Sequence, residues 1–581
     1  MRHCYLIHNN INISELLAGV KREWEKGKNS VKKDDFSRCM ERRNGPAVTE
    51  YLVYENCESL WRYFHRCDMI KNYRRKNPRK KGKETRPTAA SVLCLCCPLG
   101  SGRNTDTPED GTETGKLRCS MMQAKVHSAK ENVFQDLPVP SALGKMIIPA
   151  VTSQLIVLIY NMADTFFVGQ TNNPYMVAAT SLILPVFNIT LCLAGLAGTG
   201  GGSLISRLLG QSREEEARRV GAFSLYLALT ISALFAVGIG VFMEPVLKLL
   251  GAGENTYGYA RQYALCVIVV GGIPTVLSNV LANLIRSIGR SREASAGIIL
   301  GGLLNIALDP LFMFVLLPEG HEVMGAGIAT CLSNCTALLY FVVVLLRMGR
   351  GSVITFSPKV GLPRRESIAA VFSVGVPSAI TTLLFDLDYV IIDKLMVSYH
   401  DLALAAVGIV LKVERFPLNV GIGICQGMMP LVAYNYSAGN EGRMDETIRL
   451  SRRLGLAVAG ISIVLYELFA VQFSHLFIAD VQTVELASQF LRIRVLATPL
   501  MFLSFFTVYL FQAFGEGRIS LFLGVTRWLV FNIPMLFLLN AVFGMFGVVW
   551  SQVTADSLTV LLSFYVYRKY KPAVIAPRGE L

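Results

Sequence analysis

The chain has 581 residues, of which 52% are hydrophobic and 17% are charged, and its mean hydropathy is +0.44. Soluble domains carry about 25% charged residues, so this composition argues against a soluble enzyme and favours long membrane-spanning helices. The net charge of +14 does not indicate nucleic-acid binding, because 26 of the 56 Lys and Arg residues lie in residues 1–136 and the apolar remainder is only mildly basic.

Residues 1–136 differ from the rest of the chain. They include a highly basic run at 71–83 and a stretch rich in Gly, Thr and Pro at 98–116, and no apolar run is long enough to span a membrane. Such a composition predicts a basic, disordered N-terminal extension, and its basic run could also bind anionic lipid. Cys94, Cys96 and Cys97 cluster there without the second pair or the His that a zinc site requires.

From Leu143 onward the chain is a series of apolar runs. Each is close to the ~20 residues that cross a bilayer as a helix, and they lack the strict alternation of a membrane β-barrel. The runs predict twelve spans, at 143–168, 177–205, 219–243, 262–286, 295–317, 325–347, 368–397, 402–433, 454–475, 486–513, 519–540 and 543–567.

The loops predict the orientation of these spans. Lys and Arg concentrate after the second, fourth, sixth and eighth spans and at the C-terminus, whereas the alternate loops are nearly bare. Positively charged loops stay on the cytoplasmic side. We therefore expect a multi-pass protein of the plasma (inner) membrane with both termini in the cytoplasm.

The two halves of the apolar region resemble each other at an offset of 225–229 residues. Ile148-Pro149-Ala150 recurs as Val376-Pro377-Ser378, and Ala178-Ala179 recurs as Ala405-Ala406. The sequence thus predicts an all-α membrane protein whose twelve transmembrane helices form two pseudo-symmetric six-helix bundles. The predicted parts are the extension (1–136), the two bundles (137–360 and 361–572) and a cytoplasmic tail (573–581). Transporters commonly have this architecture, with a site between halves that rock against each other.

Several short motifs occur in the order and spacing of one known family. They are Ile148-Pro149 followed by Asp164 in Ala-Asp-Thr-Phe-Phe-Val-Gly, Gly210-Gln211, Asn283-x-x-Arg286-x-x-Gly289 and Asn305-x-x-x-Asp309-Pro310. Over residues 137–572 the chain resembles the bacterial branch of the multidrug and toxic compound extrusion family. The resemblance implies an antiporter that works by alternating access and exports amphipathic organic cations in exchange for H⁺ or Na⁺, with no other cofactor.

Carboxylates inside the spans need a reason, because each costs about 2.5 kcal/mol or more at the bilayer centre. Asn305 and Asp309 are four residues apart and share a helix face, and Pro310 leaves the carbonyl oxygen of Ile306 without its donor. With Asp164 they offer hard oxygen ligands that suit Na⁺ or a shared proton. Asp164 capping a loop, and Asn283 and Asn305 bonding neighbouring helices, are the structural alternatives. The residues predicted to couple the cation are Asp164, Asn283, Asn305, Asp309 and Thr330.

Proline supplies two candidate hinges, Pro149 and Pro310, since a helix can bend where its ladder is interrupted. In the second half, charged and pliable side chains suggest a substrate cavity. The candidates for its lining are Asp386, Asp388, Tyr389, Glu414 and Met428. Alternatively, the acidic residues form salt bridges, with Lys412 or Arg415 as partners of Asp386 or Asp388, and Met428 is a packing residue.

Motifs of membrane enzymes are missing. His321-Glu322 is followed by Val-Met-Gly rather than completing a zinc-protease motif, and no Gly-x-x-x-x-Gly-Lys-Ser/Thr occurs. We therefore expect a monomeric transporter whose partners are small organic cations and the lipid bilayer, with no nucleic acid. The alternatives are a flippase for lipid-linked precursors, which would share the fold, and a polytopic membrane enzyme.

Overall fold

The computed structural model describes residues 133–349 and 351–575. The predicted extension lies outside these residues except for its last four, as do the last six residues of the predicted tail. Every regular element in the described part of the chain is a helix. The all-α prediction is therefore confirmed.

Twelve membrane spans follow one another, and we number them α1–α12. Their bounds are α1 Val139–Gly169, α2 Pro174–Gly210, α3 Glu214–Val241, α4 Glu254–Val270 with Gly272–Ser287, α5 Ser291–Leu316, α6 Glu322–Met348, α7 Arg365–Val397, α8 Asp401–Ser437, α9 Glu441–His475, α10 Val481–Val495 with Thr498–Phe514, α11 Gly517–Phe543 and α12 Met545–Ile575. A short helix, Met243–Leu249, lies between α3 and α4.

Ten spans are single helices and two are bent pairs. The two segments of α4 meet at 45° and those of α10 at 46°. Pro274 and Pro499 lie just after these breaks, where a residue without an N–H cannot continue the ladder. The bend recurs at matching positions of α1–α6 and α7–α12, which confirms the two pseudo-symmetric six-helix bundles.

Helix ends differ from the predicted apolar runs. The largest difference is α9, which begins at Glu441 rather than at 454. Its first turns are polar, but Met444, Thr447 and Ile448 are buried there. An apolar run marks the part of a helix within lipid, whereas the helix continues as long as its neighbours cover one face.

The two ends of the bundles differ in charge. We call the end at which the odd-numbered spans begin the basic end, because its loops carry most of the arginines. The other is the opposite end.

The bundles exchange helices at the basic end. The first half of α1 packs into the core of the second bundle, where Met146 and Ile147 join Met428 and Phe511. Reciprocally, Val371 near the start of α7 joins a core made by α2–α6. At the opposite end each bundle has a core of its own. The bundles are therefore held together at the basic end and separate towards the opposite end.

Glycine permits the close approach of the exchanged helices. A Cβ at Gly423 of α8 would lie 2.6 Å from the Cα of Val151, and one at Gly427 would lie 2.8 Å from the Cα of Ile147. Neither distance is compatible with a side chain. The spacing of these glycines thus fixes how deeply α1 enters the second bundle.

Candidate functional site

The predicted oxygen ligands of the first bundle lie together inside the protein. The Asn305 amide donates its Nδ2 to Asp309 Oδ1 at 3.1 Å and to Thr330 Oγ1 of α6 at 3.3 Å. Asn305 is 3% exposed and Asp309 is fully buried. Because the amide nitrogen serves both partners, the amide oxygen is turned away from them.

Three buried acceptor oxygens in this region have no hydrogen-bond donor in the described part of the chain. They belong to Asp309 (Oδ2), Asn305 (Oδ1) and Asp164 (Oδ1), the last near the end of α1. A buried polar atom without a partner costs free energy, and a buried charge costs more. Since all three are acceptors, a proton or a small cation would satisfy them, whereas an anion would not.

Asp164 and Asp309 are close enough to interact electrostatically. Neither forms an ion pair with Lys or Arg among the described residues. Tyr263 of α4 lies within the electrostatic reach of both carboxylates, and Tyr160 lies one turn before Asp164. Sequence reasoning missed both tyrosines; the four-residue spacing between Tyr160 and Asp164 was the available signal for the first.

Asn283 is not part of this cluster. It lies on the second segment of α4, where its Nδ2 would be 3.1 Å from a Cβ at Gly198 of α2. Its Nδ2 donates to the Asn279 backbone, and its Oδ1 is 3.5 Å from Nη1 of Arg286, which donates to Gln426 of α8 at 3.1 Å. Both hydrogen bonds of Asn283 lie within α4, and only Arg286 bonds to another helix. A role of Asn283 in coupling, and its alternative of bonding a neighbouring helix, both stay predictions.

The two candidate hinges differ in their surroundings. Helix α1 runs without a break through Pro149, and the neighbouring Ile147 and Val151 contact the glycines of α8. After Pro310, α5 changes to a π-helix at Phe312–Leu316. A π-turn next to a proline is a common site of local distortion, so a bend in α5 would act close to Asp309. Both hinges stay predictions.

In the second bundle the predicted lining residues separate into different roles. Arg494 of α10 holds Glu414 with two hydrogen bonds, at 2.7 and 2.9 Å, and Tyr389 donates to the same carboxylate at 3.3 Å. Asp388 accepts from Nδ2 of Asn532 at 2.6 Å. Asp388 thus forms no ion pair with Lys412 or Arg415 among the described contacts, and the predicted pairing stays open for Asp386, whose side chain is not described. Glu414 does form a salt bridge.

Of the two remaining candidates, Met428 and Asp386, only Met428 has a described side chain. Met428 is fully buried in the core that α1 enters, as a packing residue would be. Asp386 lies in α7, and its side chain falls outside the described part. Arg415 lies over the ring of Tyr389, 4.8 Å from its centroid.

Sequence reasoning missed a second buried ion pair beside Glu414 and Arg494. Nε of Arg527 lies 2.8 Å from Asp556 Oδ1, and Gln552 donates to the other oxygen of Asp556 at 2.6 Å. The guanidinium also lies over the rings of Phe505 and Trp528. Ionisable residues inside two spans were the available signal, since such residues are rare in membranes unless paired.

The described residues contain no group of three or more His, Cys, Asp or Glu that could hold a metal ion. The Na⁺ ligands predicted from the sequence, Asp164, Asn305 and Asp309, are two carboxylates and an amide. Oxygen atoms of this kind suit a hard monovalent cation or a proton rather than a transition metal.

Comparison with known proteins supplies independent information. The MatE family matches residues 149–311 and 377–538, more than half of the chain and once in each bundle. The multidrug export protein MepA of Staphylococcus aureus is 29% identical over 454 residues, which cover 77% of this chain and 98% of that protein. The corresponding protein of Staphylococcus haemolyticus is 28% identical over 449 residues, covering 77% and 97%.

Solved structures show the same fold. A MATE crystal structure in complex with MaL6 has a TM-score of 0.73 at 23% identity and matches 77% of this chain and 99% of its own. A multidrug resistance MATE family transporter in an outward-facing conformation has a TM-score of 0.72, also at 23% identity and with the same coverage.

Proposed function

The chain belongs to the MatE (multidrug and toxic compound extrusion) family, and we propose that it exports amphipathic organic cations in exchange for H⁺ or Na⁺. This proposal rests on three buried oxygen atoms, of Asp164, Asn305 and Asp309, which can accept hydrogen bonds but have no donor in the described part of the chain. The relatives named above as multidrug export proteins support the direction and the class of substrate.

The residues of this site divide the work of holding a coupling ion. Asp309 and Asp164 supply negative charge, and a proton or Na⁺ between them would relieve their mutual repulsion. Thr330 and Asp309 fix the amide of Asn305 through its nitrogen, so that its oxygen is presented as a third ligand. This arrangement needs no rearrangement of Asn305 when the ion arrives.

In a cation exchanger, binding of the coupling ion must weaken binding of the substrate, and binding of the substrate must weaken binding of the ion. When the ion leaves, two carboxylates in the first bundle are left without compensation. An organic cation would then be favoured electrostatically, and it would be repelled again when the ion returns. Competition for the same negative charge is the simplest coupling that this geometry allows.

The two ends of the bundles indicate to which side of the membrane the structure is open. Positive loops favour the cytoplasm, so we place the basic end there. The bundles are joined at that end and have separate cores at the other. The structure would then represent the outward-facing state, from which substrate is released.

Transport in proteoliposomes tests this function. The purified full chain is reconstituted, and accumulation of an ethidium-like dye is followed under an imposed pH gradient, an imposed Na⁺ gradient, or neither. We expect one of the two gradients to drive dye against its concentration, because only the coupling ion enters the carboxylate site.

Dye movement that is the same with and without each gradient would contradict coupling. Chemical modification of the dye without its movement would instead favour the membrane enzyme. Empty liposomes under the same gradients are the control for passive dye distribution.

A further inference from the structure

The residues just before α1 are anchored rather than loose. Phe134 is 3% exposed, and its ring stacks on Tyr434 of α8 at 4.7 Å between centroids, with an interplanar angle of 10°. Nε of Arg443, at the start of α9, donates to the backbone oxygen of Phe134 at 2.7 Å. Both partners belong to the second bundle.

The same ring also contacts the first bundle. A Cβ at Gly289, in the loop between α4 and α5, would be 3.2 Å from Cε2 of Phe134 and 3.3 Å from its Cζ. Gly289 has a positive φ of 83°, which glycine adopts without strain. The ring of Phe134 therefore contacts a glycine of one bundle and a tyrosine of the other.

This position has a mechanical consequence. The ring touches both bundles at the basic end, where they are joined. If the bundles separate there, Phe134 can keep Tyr434 or Gly289 but not both. Loss of either contact exposes part of an aromatic ring. Loss of the contact with Tyr434 also breaks the ring stacking and weakens the hydrogen bond from Arg443.

We propose that Phe134, Tyr434, Arg443 and Gly289 form a clasp that stabilises the state closed at the basic end. The clasp is a feature of the segment before α1 and lies far along the bundle from the carboxylates of Asp164 and Asp309. The clasp determines how often the basic end opens, and it has no contact with the coupling ion.

The ring contacts also define which substitutions matter. Phe134→Ala removes the ring from both bundles, whereas Phe134→Leu keeps an apolar side chain and loses only the stacking. Tyr434→Ala removes the same stacking from the other side. Phe537→Ala is the matched control, because Phe537 of α11 is 53% exposed and lies away from the basic end.

The experiment measures the opening directly. Spin labels are attached after Arg347→Cys and Arg449→Cys, two exposed positions at the basic end of the first and second bundles. Accessible native cysteines are replaced by Ser, and the full chain is studied in lipid nanodiscs by pulsed electron spin resonance. The ratio of the population with a long distance between the labels to the population with a short distance reports how many molecules are open at the basic end.

We expect Phe134→Ala to raise this ratio by about tenfold, since a buried and stacked ring is lost. Phe134→Leu should give a smaller rise, and Phe537→Ala none. In the double variant Phe134→Ala/Tyr434→Ala the two effects should not add, because both remove one contact.

An unchanged ratio in Phe134→Ala, or an equal change in Phe537→Ala, would overturn the clasp. The inference rests on the proposed function only in assuming that the bundles move apart at the basic end. Distances are measured without dye or gradient, so a failed clasp with intact dye export, and an intact clasp without dye export, are separate results.

Discussion

The buried carboxylates of the two bundles differ in their partners. Glu414 and Asp556 each face a guanidinium, at 2.7 and 2.8 Å, and Asp388 accepts from Asn532 and lies within the electrostatic reach of Arg494 and Arg527. In the first bundle, Asp309 accepts from the amide nitrogen of Asn305, and Oδ1 of Asp164 has no donor in the described part of the chain. These two carboxylates interact electrostatically with each other and have no basic partner among the described residues. A buried pair that is already satisfied has little to gain from a mobile cation. This chemical difference favours our proposal that the coupling ion binds in the first bundle, and it favours a structural role for the ion pairs of the second.

The residue-scale prediction concerns Asp309. Asp309→Asn keeps the size of the side chain and removes the charge and the titratable oxygen. We expect gradient-driven dye accumulation to fall at least about tenfold, as a lost charge interaction of about 1.4 kcal/mol or more would give. The apparent Tm should not fall, because a neutral amide relieves the repulsion with Asp164.

Asp401→Asn is the matched control for that measurement. Asp401 begins α8 at the opposite end and is exposed, so its dye transport should equal that of the unmodified chain. Full transport by Asp309→Asn would remove Asp309 from the coupling site. A large loss of thermal stability would instead assign it a structural role.

At the scale of the helices, the contact between α1 and α8 depends on the absence of side chains. Gly427→Ala puts a methyl group 2.8 Å from the backbone of Ile147, which forces the helices apart. We expect a lower apparent Tm and weaker transport. Dye transport and thermal unfolding of the same preparation would measure both effects.

Helix α8 contains its own control for this substitution. Gly408 lies on the same helix, and a Cβ there would meet no heavy atom within 4 Å. Gly408→Ala should therefore be neutral or stabilising by about 0.5–1 kcal/mol, as in ordinary helix interiors. Equal effects of the two alanines would show that helix propensity, not the contact with α1, explains the result.

The sequence predicts helices better than it predicts their partners. Apolar runs and loop charges gave twelve spans and their repeat, because lipid imposes length and hydrophobicity on every span. The exchange of α1 into the second bundle was not predicted, since nothing local distinguishes the face of Ile147 that meets Gly427. The ion pair of Arg494 and Glu414 was missed for the same reason: its members are 80 residues apart.

At the scale of the whole molecule, a substitution can act on the ion site or on the equilibrium between states. In our proposal, substitutions at Asp309 and Asp164 act on the ion site, and those at the interface of α1 with α8 act on the equilibrium between states. Asn305 was found from its spacing to Asp309, because the four-residue period is a property of one helix. Tyr263 of α4 was not found from the sequence, because α4 and α5 meet only in the folded bundle.

The last prediction concerns the linkage between binding of the coupling ion and binding of the dye. If one coupling ion leaves for each organic cation that binds, each ligand must weaken the other by the same factor. With H⁺ as the ion, the Kd of a cationic dye should fall by up to about tenfold for each unit of rising pH over the range in which the site releases its proton. With Na⁺, the Kd should instead rise in proportion to Na⁺ concentration and vary little with pH.

Equilibrium dye binding to the detergent-purified chain, measured by fluorescence anisotropy across pH and Na⁺ concentration, separates these cases. Proton release on dye binding, followed in weakly buffered solution, measures the same linkage from the other side and should disappear in Asp164→Asn. Because Asp164 contributes one of the unsatisfied oxygens, the variant should bind dye with little dependence on either ion. A Kd that depends on neither ion in the unmodified chain would mean that dye binding and ion binding are not linked, by direct competition or through an equilibrium between states, and it would contradict the proposed exchange.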